Sequence, residues 1–490
     1  MTMRRFTASL AAALAAALAG CALGPDYVRP SAPVSAAYKE APVAGGALWL
    51  PAAPADALDR GDWWRLFDDP ELSRLAAEVD AANQTVAGAV ASYRQAEALV
   101  REARASFFPA VSLAASGRRS GGGNNGDFSS GSSSSGGSFS ASLTGDWAPD
   151  FWGRVGRAVE SARASEQASA ADLASARLSA QGSMAVDYFA LRESDYEADL
   201  LVRTIAGYER ALQITQNRYA AGIVAKTDVL QAETQLATTR SSLATVRANR
   251  ERFEHAIAAL TGKAPGDFAI AVQPWNAVVP GLPIGVPSAL LQRRPDIASA
   301  ERQVAATNAQ IGIERAGYFP SVTLSASLAN SSSRIGDLFK VSNALWSVGA
   351  SLAQTIFDAG ATAARVSAAE AGRDVAVARY RQTVLTAFQG VEDQLTNARA
   401  QAEQAELLKQ ASDAADQTEQ QILNRYRAGQ LSYTDVVTAQ ASALSARRAL
   451  VQMAVNRQVT AITLIQALGG GWDAAAPVEI KSSVRVDNPR

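Results

Sequence analysis

A chain of 490 residues with 46 basic and 47 acidic side chains, net charge −1, has room for two or three ordinary domains and no bulk charge for gripping a polyanion. One histidine, His255, and one cysteine, Cys21, exclude a zinc site of Cys and His ligands and an internal disulfide. Hydrophobic residues make up 48%, much of it alanine, which favours helix and close helix approach but buries little area per residue. Long coiled helices are expected rather than a thick globular core, and without a reactive cluster no enzyme is expected.

Residues 1–20 place Arg4 and Arg5 before a short Ala-rich apolar run that ends in Leu18-Ala19-Gly20-Cys21. The run is too short for a membrane-spanning helix and reads as a secretory signal peptide. Leu-Ala-Gly-Cys resembles a bacterial lipobox, which makes Cys21 the expected lipid carrier and 21–61 a lipidated periplasmic segment. Ala22 follows, not aspartate, which favours outer-membrane over inner-membrane anchoring.

From residue 62 the chain is a tandem repeat. NRYAAGIVAKTDV at 217–229 and NRYRAGQLSYTDV at 424–436 share eight of thirteen positions, and ARASFFPAVSLAAS at 103–116 resembles ERAGYFPSVTLSAS at 314–327. Two copies are expected, 62–280 and 281–472, with a tail at 473–490. Each opens with a helical stretch, Pro70–Ser106 and Pro295–Gly317. In the second, Ile297, Val304, Ile311 and Tyr318 recur every seven residues, a coiled-coil spacing. Phe-Phe-Pro and Tyr-Phe-Pro end these helices. The apolar period then changes from seven to two, predicting strands near 110–117, 138–147, 321–330 and 345–356. RRSGGGNNGDFSSGSSSSGGS reads as the hairpin loop between the first two. A proline-free helix follows in each copy; Arg157–Arg218 would span about 90 Å. Gly222 and Gly429 end it, as glycine suits a helix C-terminus. Thr227-Asp228 and Thr434-Asp435 read as N-cap and first-turn residues of a returning helix of about 35 residues.

Two such helices stacked end to end match one long helix, which predicts a rod roughly 100 Å long. The strands have one apolar and one small polar face and membrane-spanning length. Four cannot close a barrel, and an open edge in lipid leaves backbone groups unpaired. Several chains must share one barrel: two would give eight strands, three twelve.

The segments Gly24-Pro25-Asp26-Tyr27-Val28-Arg29-Pro30, Trp63-Trp64-Arg65-Leu66-Phe67-Asp68-Asp69-Pro70, Arg294-Pro295-Asp296-Ile297 through Tyr318-Phe319-Pro320, and both Asn-Arg-Tyr turns resemble the outer-membrane factor family, the TolC-like ducts, and within it the lipoproteins of RND-type multidrug efflux. The resemblance implies a mainly α fold with a small β-barrel part: a homotrimer with a twelve-stranded outer-membrane barrel and a periplasmic helical tunnel. Its implied partners are a periplasmic adapter, an inner-membrane RND-type pump and outer-membrane lipid, with no nucleic acid and no cofactor beyond the lipid on Cys21. It places the duplicated turns at the periplasmic entrance. There Tyr426 matches a latch tyrosine, Thr227 and Asp228 its partners on the other hairpin, and Asp435 an acidic ring. Gly222, Ile223, Gly429, Gln430 and Leu431 match positions that meet the adapter. Leu431 stands where some members have a latch arginine, and Thr438 where a second aspartate ring can occur. Tyr426 packed in a coiled-coil seam, with Asp228 and Asp435 as helix caps, is the plainer reading of the same residues. The Trp63-Trp64 pair is expected to be packing, and His255 to lie on a helix surface or seam. A type I protein-secretion duct and a lipid-anchored coiled-coil stalk are the alternatives to efflux, and the substrate is not readable. Three carboxylates in a ring attract cations, so Asp435→Ala is expected to weaken cation selectivity in planar bilayers; unchanged selectivity removes Asp435 from the ring.

Overall fold

The computed structural model describes residues 23–33, 38–40, 60–120, 136–275, 277–281 and 294–470. Cys21, the Gly/Ser-rich loop at 121–135 and Trp472 lie outside the described residues. In chain order the elements are a 3₁₀ turn Arg60–Phe67, α1 (Pro70–Ala82), α2 (Gln84–Ala105), β1 (Ala110–Ser120), β2 (Gly136–Trp147), α3 (Arg154–Ala220), α4 (Lys226–Leu260), α5 (Pro295–Arg315), β3 (Ser321–Ser332), β4 (Ala344–Ala353), α6 (Ala361–Arg427) and α7 (Tyr433–Ala467). The chain divides into two compact units, one of residues 1–30, 94–168 and 300–380, the other of 31–93, 169–299 and 381–490.

The first unit holds a four-stranded antiparallel sheet in the order β1-β2-β3-β4. Successive side chains of a strand point to opposite faces, and the register sorts them by chemistry. Leu113 pairs with Leu143, Leu143 with Leu328, and Leu328 with Trp346. Val111, Trp147, Leu324, Val348 and Leu352 share that face by the same parity, and Leu113 and Trp346 are 76% and 77% exposed in the protomer. The opposite face carries hydroxyl pairs across the strands: Ser112–Thr144 at 2.7 Å, Ser116–Ser140 at 2.8 Å and Ser327–Ser347 at 2.8 Å. Among the described strands β1 and β4 each have one neighbour, so each keeps an open edge. β4 stops at Ala353 rather than at the expected 356. Ala353 pairs with Ser321, and Pro320 before it has no N–H to continue the ladder. No described helix is long and apolar enough to cross a membrane.

In the same unit the Gly-Pro-Asp-Tyr segment is a strap laid on α5 and the start of α3. Gly24 has φ +102°, and a Cβ there would stand 2.6 Å from the Cα of Gly312; one on Gly312 would stand 2.6 Å from the Leu23 carbonyl. Only glycine on glycine permits that crossing. Arg157 donates to the Leu23 carbonyl at 3.2 Å and to Asp26 at 3.0 Å, Asn308 donates to the Pro25 carbonyl at 2.8 Å, and Tyr27 donates to Glu301 at 3.0 Å.

The second unit is organised around aromatic residues. Trp63, Trp64 and Phe67 are buried with Leu72, Leu75 and Val79 of α1 and Met184, Tyr188 and Phe189 of α3. The tryptophan pair is core packing, with Trp63 Nε1 donating to Gln181 at 3.2 Å. Asp69 caps α1 by accepting from the Glu71 and Leu72 amides at 2.9 and 3.0 Å, with Pro70 in the first turn, and its second oxygen accepts from Tyr188 at 2.7 Å. Arg192, fully buried, bridges Asp195 and the Ala271 carbonyl, while Arg250 takes Asp195 and the Ile270 carbonyl. This staples the chain after α4 back onto α3. His255 is exposed on α4.

The single helix expected over Pro70–Ser106 is two helices. Asn83 has ψ 126° and interrupts them. Its amide donates to the Val79 carbonyl, its Oδ1 accepts from the Thr85 and Val86 amides at 2.9 and 3.1 Å, and its Nδ2 donates to the Leu260 carbonyl at 2.8 Å. One buried side chain thus caps α2 and an end of α4. Gly262, with φ +70°, lets the α4 terminus approach, since a Cβ would meet the Ala82 carbonyl oxygen at 2.5 Å. Asn83→Ala is expected to cost about 2 kcal/mol or more, as a lost cap and an unpaired buried carbonyl, read as a lower melting temperature. Asn83→Asp, which keeps the cap acceptor, should lose less. Equal melting of all three would assign the break to Gly262 alone.

Candidate functional site

The two duplicated turns close with the same backbone geometry. Gly222 and Gly429 are left-handed, at φ +72° and +76°. The Gly222 amide donates to the Tyr219 carbonyl at 2.9 Å and the Ile223 amide to the Arg218 carbonyl at 2.8 Å; Gly429 to Tyr426 and Gln430 to Arg425 repeat this at 2.9 and 3.0 Å. This is the Schellman pattern, and it satisfies carbonyls that a helix end would leave orphaned. The hairpin-closing ion pairs are duplicated at the same spacing. Arg240 of α4 meets Glu209 of α3 at 2.7 Å, and Arg447 of α7 meets Asp416 of α6 at 2.8 Å.

The returning helices start one residue before the expected Thr. Ala225 and Ser432 are the N-caps, so Thr227 and Thr434 are second helical residues and Asp228 and Asp435 third. In the second copy this start carries a capping box, spelled by Ser432-Tyr433-Thr434-Asp435. Asp435 Oδ2 accepts from the Ser432 amide at 3.1 Å and its hydroxyl at 2.8 Å. Ala225 offers no such side chain, and the first turn has no side-chain cap.

The two hairpins meet through tyrosines. Tyr426 and Tyr433 are 5% and 2% exposed, with ring centroids 5.6 Å apart, and pack with Val436, Ala232 and Leu212. Burial pushes the Tyr433 phenol up to about 12, with Tyr426, Tyr208 and Asp228 adding to it, so it stays a neutral packing group near neutral pH. The Tyr426 hydroxyl lies 3.4 Å from Thr215 Oγ1, and the Arg218 guanidinium covers its ring at 4.7 Å. Thr434 of α7 donates to Gln231 of α4 at 3.1 Å. Further along, Arg448 of α7 pairs with Glu197 of α3. Beside it burial, reinforced by Glu197, pushes Glu193 up to about 7, so this seam holds a carboxyl that titrates near neutrality.

The expected site residues fall out as follows. Tyr426 is in the seam and packs on the other hairpin, but its hydroxyl is directed at Thr215, and among the described residues it makes no hydrogen bond to Thr227 or Asp228. Thr227 is exposed and Asp228 half-buried; Asp435 is exposed and caps α7. Gly222, Ile223, Gly429 and Gln430 are exposed at the tips and Leu431 is half-buried, while exposed Thr438 donates to the Thr434 carbonyl at 3.0 Å. Arg218, Thr215 and Tyr433 were not singled out in the sequence. Arg218 lies in the Asn-Arg-Tyr motif itself, but nothing local shows that it reaches the other copy's tyrosine. Among the described residues no cluster of three or more His, Cys, Asp or Glu is placed to hold a metal.

A sheet apolar on one face, hydroxyl-lined on the other and open at both edges, in a chain of paired helical hairpins, defines an outer-membrane channel subunit. The chain belongs to the outer membrane efflux protein family, whose model matches residues 69–263 and 286–470. It is 32% identical over 438 residues to the pyoverdine export outer membrane protein OpmQ of Pseudomonas aeruginosa, covering 87% of this chain and 90% of the relative. It is 30% identical over 458 residues to the probable efflux pump outer membrane protein TtgC of Pseudomonas putida, covering 93% of each. The outer-membrane channel OprN superposes with a TM-score of 0.79 at 31% identity, covering 92% of this chain and all of that one. The chain is therefore an outer-membrane efflux channel component, and these relatives are channels rather than enzymes.

Because Asp435 also caps α7, alanine would remove charge and cap together. Asp435→Asn keeps an acceptor for the Ser432 amide and removes only the charge. It is expected to weaken cation selectivity in bilayers with the melting temperature nearly unchanged; preserved selectivity would leave Asp435 as a cap alone.

Proposed function

We propose that this protein is one protomer of a passive trimeric exit duct, anchored by lipid on Cys21, that carries small molecules out through the outer membrane and is gated at its helix tips. The two-faced, open-edged sheet carries the reading. In hydrocarbon every backbone N–H and C=O needs a partner, so β1 and β4 must pair with other copies. Three copies give twelve strands, apolar outside and hydroxyl-lined inside, with room for water. Three chains with two turns each place six tips around one entrance. The tips are held by side chains that cross between hairpins, which suits an entrance closed at rest. A periplasmic adapter meeting Gly222, Ile223, Gly429, Gln430 and Leu431, and an inner-membrane RND-type pump behind it, would open and power the duct. Relatives named for pyoverdine export and for an efflux pump support small-molecule cargo.

Single-channel recording of the purified protein in a planar bilayer tests this. Small, cation-selective currents are expected, together with dye accumulation in cells lacking the gene. A verified, membrane-inserted trimer that passes no current, and a deletion that leaves dye retention unchanged, would overturn it.

A further inference from the structure

The duplicated Asn-Arg-Tyr motif does not do the same thing twice. In the first copy Tyr219 is 46% exposed, and its ring is covered by Lys226 of its own hairpin at 5.7 Å. In the second copy Tyr426 is buried, and its ring is covered by Arg218 of the other hairpin at 4.7 Å. Arg218 does more than stack. Its Nη1 donates to the Tyr426 carbonyl and its Nη2 to the Arg427 carbonyl, both at 3.4 Å. These carbonyls belong to the last turn of α6, where the dipole favours a cation, and the Tyr426 carbonyl takes the guanidinium beside the Gly429 amide it already accepts from. The planar guanidinium therefore meets a π-face and a helix end at once, a combination an ammonium on a flexible stem does not match. Arg425, the same motif position in the second copy, is exposed. Leu431 of the second turn offers no charge for this task.

We propose that Arg218 is the positioning residue that holds the α6–α7 hairpin against the α3–α4 hairpin of the same chain, in place of a charged latch at Leu431. This rests on the reading of the tips as a gate. Opening that carries α6 and α7 away from α3 must break the Arg218–Tyr426 stack and both carbonyl contacts together. The Tyr426–Thr215 contact, also at 3.4 Å, is a single link beside the ring stack and the two carbonyl contacts of Arg218.

The test is bilayer recording of the full-length trimer carrying Arg218→Ala, Arg218→Lys, Arg425→Ala or Tyr426→Ala, each checked for wild-type trimer melting. Losing the stack should raise the open-to-closed ratio about tenfold in Arg218→Ala. Arg218→Lys should fall between it and wild type, and Arg425→Ala should conduct as wild type. The Arg218→Ala/Tyr426→Ala double variant should conduct no more than the larger single variant, since both remove one contact. Wild-type conductance in Arg218→Ala with a rise in Tyr426→Ala would overturn the clamp and leave the gate standing. Wild-type conductance in both would overturn the gate as well. An equal rise in Arg425→Ala would make the effect one of tip charge, and the clamp would fall.

Discussion

Peptide groups inside a membrane have no water to fall back on, and the rest of this chain is arranged around that. Its helices satisfy their own backbones, and none described is apolar enough to cross lipid. The sheet carries a broad exposed apolar face, and its ladders pair β1 through β4 but leave one edge of β1 and one of β4 open. Large apolar side chains such as Leu113 and Trp346 stand exposed on one face, while serine and threonine pair across the other. A protomer built this way is incomplete by itself. Its edges need neighbours and its apolar face needs lipid, and both follow from the pleat.

Duplication supplies the helical part, and asymmetry between the copies supplies its specificity. The Schellman turns and the hairpin-closing ion pairs, Arg240–Glu209 and Arg447–Asp416, recur almost unchanged. The differences sit where one hairpin touches the other. Ser432 replaces Ala225 and adds a capping box, and Tyr433 replaces Lys226 and brings a second buried ring to Tyr426. A few substitutions at the tip thus convert two equivalent hairpins into one that is packed against and one that packs.

The second unit shows how buried polar groups settle geometry. Asn83 fixes the break between α1 and α2 and ties it to the end of α4, and the Arg192–Asp195–Arg250 network fixes the returning chain. Paired buried ions add little net stability over apolar packing, but leaving one unpaired is costly. They restrict the unit to arrangements in which every partner is present.

The sequence by itself determined the repeat, the change of period from seven to two at Pro109 and Pro320, the glycine turns, and the two faces of the strands. Each of these is a local preference of backbone or pleat and is written in neighbouring residues. The capping box at Ser432 is written in neighbouring residues too, although the cap was expected at Thr434; the repeated ion pairs each join side chains 31 residues apart on two helices. Only the tertiary structure decided that Asn83 splits the first helix, because its deciding partner, the Leu260 carbonyl, is far along the chain. Only it decided that Tyr426 faces Thr215 and Arg218, because a motif present twice does not say which copy will be buried. Burial is a property of what packs against a residue, and at these tips the packing partner belongs to the other copy of the repeat.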